Sequence, residues 1–291
     1  MSIYKHSYRA YMGTLTPHWS RIVVLARYAL AEAWSSKITI ALFTFSMLPA
    51  IVYLVGIYLA NNPLASALIL RGNKTGLSID AAYFLKMLEG QSWLALAITA
   101  WIAPRLITFD LADNALPILL SHPISRFGYV FGKFLALIAS LSLVTWIPCL
   151  LLFAYQAYSS PQPWTWDHLS IAGGLLTGSL IWIALLSILG LALSSWVKWR
   201  VVATGIIFAA VFVPAGVGGI VSAVMRTKWG LLLNLPVMMT EIWQRLLGAP
   251  SVMRPRQDLP NQAMATMLVL ACLVSVAMLN ARVRAREVVR G

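Results

Sequence analysis

The chain has 291 residues, of which 60% are hydrophobic and only 11% charged, with a mean hydropathy of +0.79. Soluble domains are about 45 to 50% apolar and about 25% charged, so the composition argues against a water-soluble globule. The formal charge of +13 comes from Lys and Arg set in short clusters between apolar runs, which fits a bilayer surface and not the single basic face expected of a nucleic-acid binder.

Residues 1–18 read as a polar leader, and no short apolar core with a cleavage site follows to make a signal peptide. In 19–37 the positions Ile22, Leu25, Ala26, Ala29, Leu30 and Ala33 recur at the spacing of one helix face. Arg21 and Glu32 lie on another face, and Arg27 and Lys37 add to the basic character of the stretch. A basic amphipathic helix of this kind, placed just before an apolar run, is expected to lie flat among the lipid headgroups.

Six apolar runs then approach the roughly 20 helical residues needed to cross about 30 Å of hydrocarbon. They cover 38–60, 92–109, 130–156, 169–197, 201–224 and 262–281. The third and fourth are joined by Ser159-Ser160-Pro161-Gln162-Pro163, and the fourth and fifth by Lys198-Trp199-Arg200, so both pairs are expected to be tight hairpins. Alternate connections divide the Lys and Arg fourteen to eight, and the richer side holds both termini. The positive-inside rule therefore places both ends in the cytoplasm. Between the last two runs, Trp229 to Thr240 is apolar but too short to span before Glu241 and Arg245 interrupt it. An outer re-entrant or interfacial helix is expected there.

Catalytic patterns are lacking. The four histidines fall in four separate segments and make no HxxxH or HExxH pair, and Cys149 and Cys272 have no CxxC neighbour. No GxSxG elbow is present, and Gly128-Tyr-Val-Phe-Gly132-Lys133 lacks the spacing of a phosphate-binding P-loop. No catalytic, cofactor-binding or metal-binding residue is therefore assigned, and the chain is not expected to be an enzyme by itself.

The connection between the second and third runs is the most informative. Asp110 and Asp113 can open a short helix whose N-terminal dipole favours negative charge, Leu116, Leu119 and Leu120 form a small apolar face, and His122-Pro123 stops it before Arg126. Such a loop is either a plain connector or a knob for a soluble partner. Read singly, Asp110 is also a good helix cap and Arg126 an ordinary snorkelling arginine. Pro214, Gly216, Gly218 and Gly219 late in the fifth run suit either a flexible gate or close helix packing.

The series Asp110, Leu119-Leu120-Ser121, Pro123-Ile124-Ser125-Arg126 and Gly132-Lys133 resembles the permease subunits of ABC-2 type ATP-binding-cassette exporters. Tyr8-Arg9-Ala10-Tyr11-Met12-Gly13 with Pro17 resembles the leader of a bacterial branch of that family. Two positions depart from the pattern: Asp110 stands where Glu is common, and Asn114-Ala115-Leu116 where Gly-Thr-Leu is. The resemblance implies an all-α polytopic membrane protein: a leader over 1–18, an amphipathic elbow helix over 19–37, and a six-span permease domain over 38–291 with a cytoplasmic C-terminal tail. It also implies a short cytoplasmic coupling helix, for which Asp110, Asp113, Leu116, Leu119, Leu120, Pro123 and Arg126 are the ATPase-docking candidates, and Arg21, Arg27, Glu32 and Lys37 the elbow candidates. The implied partners are a separate ATPase subunit that holds ATP and magnesium, a second permease copy and the lipid of a bacterial inner membrane. A membrane scaffold that anchors a soluble complex without transporting anything would share the composition, the spans and the basic ends.

Overall fold

A computed structural model describes residues 17–62, 64, 78–112, 125–160, 164–250 and 259–282. All regular structure among them is helical, as expected. Helix α1 spans His18–Trp34, α2 Lys37–Asn61, α3 Ala81–Ala112, α4 Arg126–Ser142 and α5 Trp146–Ser159. They are followed by the single turn α6 Trp164–Asp167, α7 Leu169–Ser194, α8 Arg200–Val224, a 3-10 turn at Trp229–Leu233, α9 Leu235–Leu247 and α10 Asn261–Arg282.

Among the described residues, five segments are long and apolar enough to cross a membrane: Lys37–Asn61, Arg126–Ser159, Leu169–Ser194, Arg200–Val224 and Asn261–Arg282. The run expected at 92–109 lies within α3, which is not among these five. That helix begins already at Ala81 and carries Lys86, Glu89, Arg105 and Asp110 along its 32 residues. It is also the helix that the others cover: Phe84, Leu88, Leu96, Ala100, Ile102 and Leu106 are fully enclosed.

α7 lies at the centre, packed against α3, α4, α5, α8, α9 and α10. Its small residues set the approach of its neighbours. A Cβ at Gly190 would come within 2.8 Å of Thr99 Cγ2 on α3, and one at Gly178 within 2.6 Å of Trp243 Cδ1 on α9. By contrast α2, α8 and α10 turn apolar side chains such as Val52, Val213 and Leu273 outward. In water that surface would be costly; against lipid tails it is not. Sparse polar ties cross between the helices: the Asn61 amide donates to Gln156 Oε1 at 2.7 Å, the Tyr83 hydroxyl to the Tyr53 carbonyl at 2.6 Å, and the Thr204 hydroxyl to the Ala100 carbonyl at 2.9 Å.

Two expectations are refined. The run at 130–156 lies within one segment long and apolar enough to cross, but it is two helices, α4 and α5, separated at Leu143 to Thr145. Pro148 has no N–H to offer the Val144 carbonyl four residues back, and the Thr145 hydroxyl instead bonds the Leu141 carbonyl at 2.9 Å. The apolar stretch after α8 also does not end at Thr240. Asn234 divides it, its side chain capping α9 by accepting from the Val237 N–H at 3.2 Å, and α9 continues through Glu241 and Arg245. Those two charges sit one turn apart on the same helix and pair at 3.5 Å, so they extend the helix where the sequence suggested an interruption. Gly248, at φ 68° in the left-handed region, ends it.

In the stretch expected at 19–37 a helix forms over His18–Trp34. Ala29 and Ala33 are buried, Leu25 rests on Gly132 of α4, and the Trp34 indole N–H donates to Ser140 Oγ at 3.3 Å. A second apolar face, Trp19, Val23, Val24 and Tyr28, stays exposed. At the far end of α8, Gly218 lies against the backbone of Gly230, where a Cβ would meet the carbonyl oxygen at 2.3 Å; this is close packing. Gly216 and Gly219 have open space around them.

Candidate functional site

α3 ends and α4 begins on either side of residues 113–124. Ser125 caps α4, its hydroxyl oxygen accepting from the Gly128 N–H at 3.0 Å. The cap sets the helix phase so that Tyr129 and Lys133, four residues apart, share one face toward α3. Both reach the last turn of α3. The Tyr129 hydroxyl donates to Asp110 Oδ2 at 2.6 Å, and Lys133 Nζ lies 3.0 Å from the same oxygen. The ammonium is also 5.8 Å from the Tyr129 ring centroid. Lys133 is 6% exposed at its side chain and Asp110 20%, so the pair is largely withdrawn from water.

This arrangement holds the two stems of the loop together by a charge-assisted clasp. A buried ion pair is retained only where its remaining hydrogen bonds are met, and Tyr129 supplies one of them. α1 also packs on α4, with Leu25 on Gly132, the neighbour of Lys133 in the chain. Movement of the loop stems would therefore be felt by α1, α3 and α4 together.

More cations gather near the same end of the bundle. The Arg200 guanidinium stacks 3.9 Å from the Trp101 ring centroid, and Arg282 Nε donates to the Ser195 carbonyl at 3.3 Å. Thr108 of α3 ties to the Ser194 carbonyl at 3.3 Å, closing α3 on α7.

The docking candidates separate into three groups. Asp110 is turned into the bundle onto Lys133, not outward. Arg126 is exposed in the first turn of α4, at the edge of an apolar cavity of about 300 Å³ lined by Phe127, Phe131, Leu191 and Leu279. Asp113, Leu116, Leu119, Leu120 and Pro123 lie outside the described residues. Of the elbow candidates, Arg27, Glu32 and Lys37 are exposed and Arg21 is partly covered. Sequence reasoning did not single out Tyr129 and Lys133 as a pair. The available signal was a lysine inside an apolar run, a position where an ionisable group calls for a partner.

A family model described as ABC-2 family transporter protein matches residues 92–284. The chain belongs to that family. The ABC-2 transporter match begins within α3 and takes in the clasp, the loop and the whole of α4 to α10, while α1 and α2 precede it. No curated protein matches the chain. Membership supports a permease-type role for this multi-pass membrane domain.

Proposed function

We propose that this ABC-2 transporter domain is the permease subunit of an exporter in a bacterial inner membrane, working as a dimer and driven by a separate ATPase subunit. The observation that carries this reading is the clasp of Asp110, Tyr129 and Lys133 at the base of the 113–124 loop. A loop that must transmit force needs stems that do not splay, and an ion pair shielded from water resists splaying better than an exposed one. The loop itself, with Asp113, Leu116, Leu119, Leu120, Pro123 and the exposed Arg126, is then the surface that the ATPase grips, and Asp110 acts from behind it. ATP and magnesium belong to the partner, since this sequence carries no P-loop.

In the same reading α3 is the sixth membrane helix. At 1.5 Å per residue its 32 residues reach about 48 Å, longer than the hydrocarbon layer, so its polar ends emerge on both faces. The Lys and Arg count puts the loop and both termini in the cytoplasm. The exposed apolar face of α1 suits an elbow helix lying in the inner leaflet.

Co-purification in mild detergent with an ATPase encoded beside it tests the proposal. A stoichiometric complex that is lost on Arg126→Glu, with normal membrane levels of the permease, is expected. A permease that never retains an ATPase would make the anchoring scaffold the better account.

A further inference from the structure

The opposite end of α3 carries a second carboxylate in a different setting. Glu89 lies 21 residues before Asp110, about 32 Å along the helix at 1.5 Å per residue. It lines a cavity of about 240 Å³ between α3, α7 and α9, together with Ser92, Trp93, Trp182, Thr240 and Trp243. Among the described residues the cation that acts on it is Lys86, one turn back on α3 and exposed, and its hydrogen bond comes from Thr240.

Two of the three indoles are fixed by hydrogen bonds. Trp182 Nε1 donates to the Ser92 carbonyl at 3.3 Å and Trp243 Nε1 to the Gly178 carbonyl at 3.0 Å, and the two rings meet edge to face at 5.9 Å. Trp93 stacks on Phe212 at 5.7 Å and is 45% exposed, forming an open rim. With two of the indole N–H groups already bonded, the walls offer mainly rings and one carboxylate to an occupant.

This chemistry narrows the ligand. An anion would face Glu89, and a neutral apolar guest would leave the carboxylate facing hydrocarbon. A hard metal ion asks for six or more oxygens, which one carboxylate and two hydroxyls cannot supply. A cation with a soft, methylated or amine head satisfies both the carboxylate and the rings. We propose that this cavity binds an organic ammonium group, either free or as the headgroup of a lipid entering past Trp93. The inference does not rest on an ATPase partner, and its test needs none.

The full-length protein, purified in a nonionic maltoside, is titrated calorimetrically with tetramethylammonium chloride against a sodium chloride control, and then with a short-chain phosphatidylcholine. Saturable binding that weakens at least tenfold in Glu89→Gln and severalfold in Trp93→Leu is expected. Glu89→Gln keeps the shape and an acceptor for Thr240, and unchanged thermal unfolding confirms that its fold is intact. Glu89-dependent binding of the free ion identifies a small cation as sufficient; Glu89-dependent binding of the phospholipid alone identifies a headgroup. Both support the site. The proposal is overturned if neither titrant binds saturably, or if both bind Glu89→Gln as tightly as the parent protein.

Discussion

The two ends of α3 carry the same functional group and use it in opposite ways. Asp110 meets a buried ammonium and a phenol, and its charge is consumed within the fold. Glu89 meets a hydroxyl and an exposed lysine, and its charge faces a cavity walled by indoles. The difference arises from what the neighbouring helices bring. α4 delivers Lys133 and Tyr129 on one face, whereas α7 and α9 deliver Trp182 and Trp243. A carboxylate on an apolar helix is thus a fastening where a cation is packed against it and a site where aromatic rings are.

The largest effect expected from this contrast is all-or-none. If α3 crosses the membrane, cysteines at the exposed positions Lys86 and Arg126 should differ completely toward an impermeant thiol reagent applied to intact cells. Lys86→Cys should be labelled directly and Arg126→Cys only after permeabilisation, scored in a background lacking Cys149 and Cys272. Equal labelling of both would place the two carboxylates on the same face and end the comparison.

Lys133→Met comes next. It strands Asp110 in a mostly enclosed place, and removing one partner of a buried pair costs about 3–5 kcal/mol, reduced here because Asp110 keeps 20% exposure. A fall of about 2–4 kcal/mol in detergent unfolding is expected, with much of it restored in Asp110→Asn combined with Lys133→Met. Additive losses in the double variant would show that the clasp is not a coupled unit. The same reasoning makes Asp110→Lys a poor probe of docking, since it sets two cations against each other inside the bundle. Arg126→Glu is the clean one.

Gly178→Ala probes the other end. Its new methyl would lie 2.6 Å from Trp243 Cδ1, an enclosed ring that cannot swing away, and overpacking of this kind costs about 1–3 kcal/mol. Hydrogen exchange should rise in α9 and leave α1 and α4 unchanged; a uniform rise over all the helices would mean that the two ends unfold as one.

The smallest effect belongs to Gly132→Ala. There the clash is with Cδ2 of Leu25 at 2.9 Å, the far end of a flexible side chain. A loss under about 1 kcal/mol is expected, with faster exchange confined to α1. A loss as large as that of Lys133→Met would show that α1 is part of the clasp and not a helix resting on it.

Much of this architecture was legible in the order of residues. Composition separated the chain from soluble proteins, and the period of Ile22, Leu25, Ala26, Ala29, Leu30 and Ala33 marked one face of α1, although that face packs on the bundle where the sequence suggested headgroups. Both depend on local chemistry repeated along the chain, which a sequence displays directly. Pro148 could have signalled the break between α4 and α5, but apolar run length hides a kink because both halves are equally greasy.

What the sequence by itself determined is therefore the class: a helical membrane protein of the ABC-2 transporter family. Only the tertiary structure decided how the few charges are used. The sequence places Asp110, Tyr129 and Lys133 within one stretch, yet whether the carboxylate faces solvent or Lys133 depends on the angle at which α3 meets α4, and that angle is fixed by packing against α1 and α7. Likewise Glu89, Trp182 and Trp243 lie far apart along the chain, and nothing local announces that they share a cavity. Pairing energies depend on distance and burial, and both are properties of the folded bundle.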